Sequence, residues 1–232
     1  MEQLKDRPSP AQEKLPRGSH GLPIEFVIRS QRERLFAGMA RVLARRGYAA
    51  TTVDDIAVES GVSRKALYAH FSGKEDVLLQ AHRAVFERIM TGAGPAIDEQ
   101  SDWKSALRAL FDWTLEFFSC EPAFAHLAFV EMAAATPASR QMQRESFAPV
   151  RGLIMAGIDR AERPVSEIAV DGLLGGLTYV LGEAADEAAG DISRLRNKLM
   201  AWIVLVLEGP EAAEREMHDG PASRQLQSSD TA

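Results

Sequence analysis

A short stretch in the first third of the chain carries residues suited to gripping a polyanion. If Leu67 and Phe71 face inward on a helix that starts after Ser63, then Arg64, Lys65, Tyr68 and Ala69 share the opposite face. Two cations and a phenolic hydroxyl on an exposed short helix suit the donor and acceptor edges of a DNA groove. Lys74 falls in the first turn of the next helix, where its charge opposes the helix dipole. A cation held there favours an external anion such as phosphate. Taken alone, His70 reads either as a surface histidine satisfied by a neighbour or as a further contact. Thr52 and Ser63 are helix N-caps by residue type and position.

Other chemistries lack their residues. The five histidines, His20, His70, His82, His126 and His218, do not have metal-ligand spacing. There is no glycine-rich phosphate loop and no nucleophile elbow, so the chain does not read as an enzyme, and no cofactor or metal is expected. The single cysteine, Cys120, cannot form an internal disulfide, fits a reducing cytosol, and is expected to be buried beside Phe117 and Phe118.

The polyanion-facing residues need a scaffold, and the sequence supplies one. Ala57 is small enough to let two short helices approach, Gly61 permits the left-handed backbone of a tight turn, and Ile56, Val62, Leu67 and Phe71 are spaced to bury the seam. Thr52 with Asp55, and Ser72 with Glu75, read as capping boxes. Upstream, Ile28, Leu35, Phe36, Met39, Val42 and Leu43 form one stripe that Gly47 ends. Beyond residue 76 there is no strand alternation. Helices are predicted near 75–91, 102–119, 122–135, 138–161, 165–188 and 191–208, with breaks at Gly92-Ala93-Gly94-Pro95, Glu121-Pro122, Thr136-Pro137, Arg163-Pro164 and Gly190. The fold class is all-α, divided into a disordered polar arm (1–23), a three-helix helix-turn-helix domain (24–76), a helical body (77–208) and a flexible tail (209–232).

From Gly61 to Glu75 the sequence Gly-Val-Ser-Arg-Lys-Ala-Leu-Tyr-Ala-His-Phe-Ser-Gly-Lys-Glu resembles the DNA-binding signature of TetR-family regulators. Gly47 to Ala57 is similar to the junction that precedes it in that family. The likeness covers roughly residues 28–80. It implies a transcriptional regulator, most simply a repressor released from a palindromic operator by a small-molecule effector. It also implies that Tyr68, His70 and Lys74 touch phosphates or base edges, that Arg64 and Lys65 add contacts, and that Thr52 and Ser63 present hydroxyl and N–H groups to phosphates. Such regulators are two-fold dimers built on their last two long helices, with a ligand cavity in the middle ones.

The rest of the chain fits this division. Net charge is −6, yet residues 24–76 carry nine basic and seven acidic side chains against 14 and 23 in residues 77–232, so the front end is the part suited to phosphate. The longest apolar run, Leu199 to Leu207, has nine residues, short of the roughly 20 of a membrane-spanning helix. The expected protein is soluble and cytoplasmic. The run from Trp202 to Leu207 makes the last helix apolar almost all round, so it must bury two faces, and Gly172, Gly175, Gly176 and Gly182 in its partner helix suggest close backbone approach in a homodimer or a kink. Aromatics concentrate in the middle helices, mostly as core. The candidate lining for a small apolar or aromatic effector is Trp113, Phe117, His126, Phe129 and Tyr179, with Glu131 and Glu183 as further polar groups. The competing reading is a helical small-molecule or lipid carrier that has lost DNA binding. Intact Arg64, Lys65, Tyr68, His70 and Lys74 oppose it.

Overall fold

The computed structural model describes residues 23–159, 165–186 and 192–218. The regular elements of the described residues are all helical, as expected, and they divide into two units, 1–84 and 85–232. The division falls after Ala84 rather than after Asp76. The arm expected over 1–23 (all but Pro23), the tail beyond His218, and the breaks at Arg163-Pro164 and Gly190 lie outside the described residues.

In the first unit, α1 (Ile24–Ala50) buries Leu35, Phe36, Met39, Val42 and Leu43, while Ile28 is exposed and does not join that stripe. Gly47 leaves the helical region at φ 69° and ends the helix proper. Two short helices follow, α2 (Val53–Ser60) and α3 (Arg64–His70). Their seam is dry: Ile56, Val62, Leu67 and Phe71 are all buried, and Phe71 meets Phe36 edge-on. Arg32 closes this cluster, its guanidinium over both rings and its Nη2 donating to Gln80 Oε1 at 2.7 Å. α1 and α2 approach closely at Gly38 and Ser60, where a Cβ on Gly38 would lie 2.0 Å from Ser60 Oγ. Ala57, at the seam of the two short helices, is buried.

A fourth helix, α4 (Lys74–Asp98), begins at the end of this unit. It runs on through Gly92 and Pro95, where a break was expected. The glycine serves another purpose: the Trp113 ring lies where a Cβ on Gly92 would project, 2.0 Å from it.

The second unit packs α5 (Trp103–Cys120), α6 (Pro122–His126), a π turn (Leu127–Glu131), α7 (Met132–Ala134), α8 (Pro137–Ser146), α9 (Ala148–Ile158), α10 (Glu167–Asp186), α11 (Arg196–Leu207) and α12 (Pro210–His218). Its core joins α4, α5, the π turn, α9, α10 and α11 through Leu107, Phe117, Ile154, Leu177 and Ile203. The expected helix at 138–161 is two helices that part at Phe147, because Pro149 near the start of α9 has no N–H for the preceding turn. The first ten residues of the supposed tail are not frayed. Gly209 turns the chain at φ 101°, and α12 then buries Ala212, Ala213 and Glu216, with Arg108 of α5 donating to both oxygens of Glu216. Cys120 is exposed, not buried: it ends α5 two residues past Phe118, about 200° around the helix from it.

By length and composition α10 is apolar enough to cross a membrane, but its apolar residues divide between two sides. Val170, Leu173, Leu177 and Leu181 are buried, whereas Ile168 and Tyr179 are open.

Candidate nucleic-acid interface

The interface is built from three backbone reversals. Gly47 ends α1. Thr52 then starts α2 with a complete capping box: its side chain accepts from Asp55 N–H while Asp55 accepts from Thr52 N–H. Hydrogen bonds from Thr52 hold the Asp55 carboxyl below the usual range, so the box is ionised and intact at neutral pH. Gly61 ends α2 in the left-handed region at φ 60°, which a side chain would resist, and its N–H reaches back to Ala57 and Val58 carbonyls. Two residues later Ser63 accepts from Ala66 N–H and starts α3. The Ser72 box differs from expectation. Asp76, not Glu75, accepts from Ser72 N–H at 2.8 Å, because Gly73 precedes the helix and puts Asp76 at the third helical position.

This frame turns Ser63, Arg64, Lys65, Tyr68 and Ala69 outward on one face of α3, and leaves Thr52 exposed at the head of α2. Tyr68 is half exposed. Lys65 has no partner among the described residues, so its ammonium is available to an incoming anion. Most nearby arginines are committed. Arg41 and Arg45 both pair with Glu59, holding its carboxyl below the usual range, and Arg46 pairs with Asp55. Arg64 pairs with Asp54 across the turn. Nothing in the spacing of single residues marked that pair, although two opposite charges flanking a tight turn are a usable signal. Val58 is 82% exposed on α2.

His70 and Lys74 sit differently from the α3 face. The His70 Nε2–H donates to Gln31 Oε1 at 3.1 Å, which is the satisfied-histidine arrangement. Lys74 Nζ donates to the carbonyls of Tyr48 and Thr51. Burial, then Glu75, raises the Tyr48 pKa, so the phenol stays neutral. Tyr48, Lys74, Ser72 to Asp76 and Leu79 line an open concavity of about 540 Å³.

In the second unit, Trp113 stacks on Phe117 at 5.7 Å, and Phe118 links Phe117 to Phe129 by edge contacts. Three of the five residues expected to line an effector site therefore share one aromatic cluster. His126 contacts Glu131 and Asp186. Tyr179 stands apart, 67% exposed on α10. The His126–Glu131 pair spans five positions, which a π turn brings together and an α-helix holds apart. Gln143 supports that turn by donating to the Ala128 carbonyl at 2.7 Å.

Comparison with known proteins covers both units. Residues 35–81 match the model of the bacterial regulatory proteins of the tetR family. The HTH-type transcriptional activator FasR of Mycolicibacterium smegmatis is 30% identical over 105 residues, covering 45% of this chain and 48% of FasR. The chain spans only 19% and 48% of the length of the first curated relatives it matches. Among solved structures, the fatty acid degradation regulator FadR of Bacillus halodurans superposes with a TM-score of 0.65 at 19% identity, over 75% of this chain and 94% of that one. FadR of Bacillus subtilis, solved in complex with stearoyl-CoA, gives 0.60 at 18% identity, over 76% and 97%. At these identities the structural likeness concerns the fold.

Proposed function

We propose that the chain, which matches the model of the bacterial regulatory proteins of the tetR family over residues 35–81, regulates transcription by inserting α3 into the major groove of a palindromic operator as a symmetric dimer. The observation that carries this reading is the exposed face of α3, where Ser63, Arg64, Lys65 and Tyr68 stand clear of a buried Leu67. Backbone contacts would come from the N-termini of α2 and α3 at Thr52 and Ser63, and from Lys74 and His70 at the edge. Repression by occlusion is the simplest output, since it needs only that the operator be covered.

Dimerisation has a physical motive in α10 and α11. Ile168, Tyr179 and Leu205 are exposed, and Gly172 and Gly175 have open space where a side chain would be. A second copy laid on that face would bury it, and two α3 helices would then read two half-sites about one helical turn apart. The effector is an apolar molecule taken among the aromatic side chains of the second unit. An acyl chain of the kind bound by the Bacillus subtilis relative suits so apolar an interior.

The test is equilibrium binding of the full chain to a randomised duplex library, with the enriched sequences remeasured at several salt concentrations. Enrichment of a two-fold symmetric site, with affinity falling steeply as salt rises, is the expected result. Equal affinity for all duplexes, or affinity indifferent to salt, would overturn the proposal.

A further inference from the structure

Arg64 opens α3, and its guanidinium is already held. Its Nη1 donates to Asp54 Oδ2 at 3.2 Å and its Nε lies 2.9 Å from Asp54 Oδ1. Asp54 lies on α2, ten positions earlier and on the far side of the Gly61 turn. Lys65 and Tyr68, on the same outward face, have no such carboxylate among the described residues. Both side chains of the pair are about 60% exposed, at 61% for Arg64 and 59% for Asp54, so the pair adds little to folding stability. Its consequence is geometric. A long arginine side chain loses rotamer freedom when it orders on a base edge, and one already anchored loses less.

Asp54 has a second effect through its charge. A carboxylate beside the groove-facing start of α3 repels phosphates wherever they come near without compensation. That repulsion weakens every encounter with DNA and is offset only where Arg64 finds its acceptors. One residue thus both sharpens the attractive contact and penalises the wrong partner.

We propose that Asp54 is the positioning residue for Arg64, aiming its remaining N–H groups at the paired acceptors N7 and O6 of a guanine in each half-site and discriminating against other sequences. The inference rests on the reading of α3 as the groove-reading helix.

The experiment uses the full chain as wild type, Asp54→Ala, Asp54→Asn, Arg64→Ala and the double variant Asp54→Ala/Arg64→Ala. Each is equilibrated with the randomised duplex library, the bound fraction is sequenced, and affinity for one scrambled duplex is measured alongside. Arg64→Ala is expected to erase the guanine preference at one position per half-site. Both Asp54 variants should weaken preference at that same position by about fivefold or more, the worth of one base-reading contact. The double variant should add nothing further there. The Asp54 variants should bind the scrambled duplex more tightly than wild type, and Arg64→Ala less tightly. A change in helix packing alone would lower affinity at every position and would lower the melting temperature, and Asp54→Asn, which keeps the side-chain size, separates the two effects. Unchanged guanine preference in the Asp54 variants, or a loss spread evenly over the site, overturns the assignment. A wild-type chain that enriches no sequence instead defeats the reading of α3 itself, which distinguishes the two failures.

Discussion

Lys74 ties down the turn that follows Gly47: its Nζ donates to the carbonyls of Tyr48 and Thr51, each at 2.9 Å, and lies 4.3 Å from the centre of the Tyr48 ring. These two carbonyls supply, inside the chain, the negative potential that a cation at the N-terminus of α4 lacks. An ammonium has three N–H groups, so one remains for a phosphate after both carbonyls are served. Lys74→Met should therefore cost about 1–3 kcal/mol of stability through the loss of two hydrogen bonds from a charged donor, although the Tyr48 carbonyl keeps the Thr51 N–H. It should also make the salt dependence of DNA binding shallower by about one. Denaturant unfolding and salt titrations read the two losses separately. Wild-type stability in the variant would mean that the tie is idle.

The buried His82 gives the chain a pH dependence with a definite sign. His82 is 5% exposed, and neither ring nitrogen has a hydrogen-bond partner among the described residues. Burial lowers its pKa from 6.5 to about 4. The unfolded chain thus binds a proton that the folded chain refuses, so the stability due to neutral His82 is fully present above pH 6.5 and is lost as pH falls toward 4. The loss across that window is roughly 3 kcal/mol. His82→Leu should flatten the stability profile between those limits, as measured by chemical unfolding at a series of pH values. An equally steep decline in the variant would assign it to other groups.

The parts of this fold that were legible in the sequence are those whose causes are local. Thr52 with Asp55, Gly61 and Ser63 each act on backbone within a few residues, and their roles in the structure match their types. The buried seam at Ile56, Leu67 and Phe71 follows from helical period alone. What escaped depends on distant partners. Gly92 reads as a break until Trp113, from another helix, occupies its missing side chain. Glu216 reads as a frayed tail until Arg108 is set beside it. The outward face of α3 was legible for the same local reason, whereas the holding of Arg64 by Asp54 required the turn between them to be built.

The glycines of α10 make a graded prediction. A Cβ on Gly176 would lie 2.1 Å from Cη2 of Trp202 in the same chain, so this close approach is internal and not reserved for a partner. Gly176→Ala should destabilise the fold by about 1–3 kcal/mol, the cost of overpacking. Gly172→Ala and Gly175→Ala meet open space and should stabilise an isolated chain by up to about 1 kcal/mol each through helix propensity. If that face pairs with a second copy, the same two substitutions should raise the dimer dissociation constant, and Gly175→Arg should abolish the dimer. Analytical ultracentrifugation across a dilution series, beside thermal melts, decides the matter. Dimers of undiminished affinity in Gly175→Arg would move the interface elsewhere.

An effector that releases DNA must obey reciprocity. A ligand shifts an equilibrium between DNA-competent and DNA-incompetent forms only by its differential affinity for them. Operator DNA must then weaken ligand binding by the same factor by which ligand weakens operator binding, typically 5–150-fold. Stearoyl-CoA is the first probe, since a protein of similar fold was solved in complex with it. Its affinity is to be measured by calorimetry on the free chain and on the chain saturated with an enriched duplex. Phe118→Ala, which removes the ring joining Phe117 to Phe129, should weaken stearoyl-CoA binding while leaving the operator affinity of the ligand-free chain intact. The thermal melt of that variant reports separately on the core it loosens. Equal stearoyl-CoA affinities with and without the duplex would mean that this molecule, however tightly it binds, does not drive release.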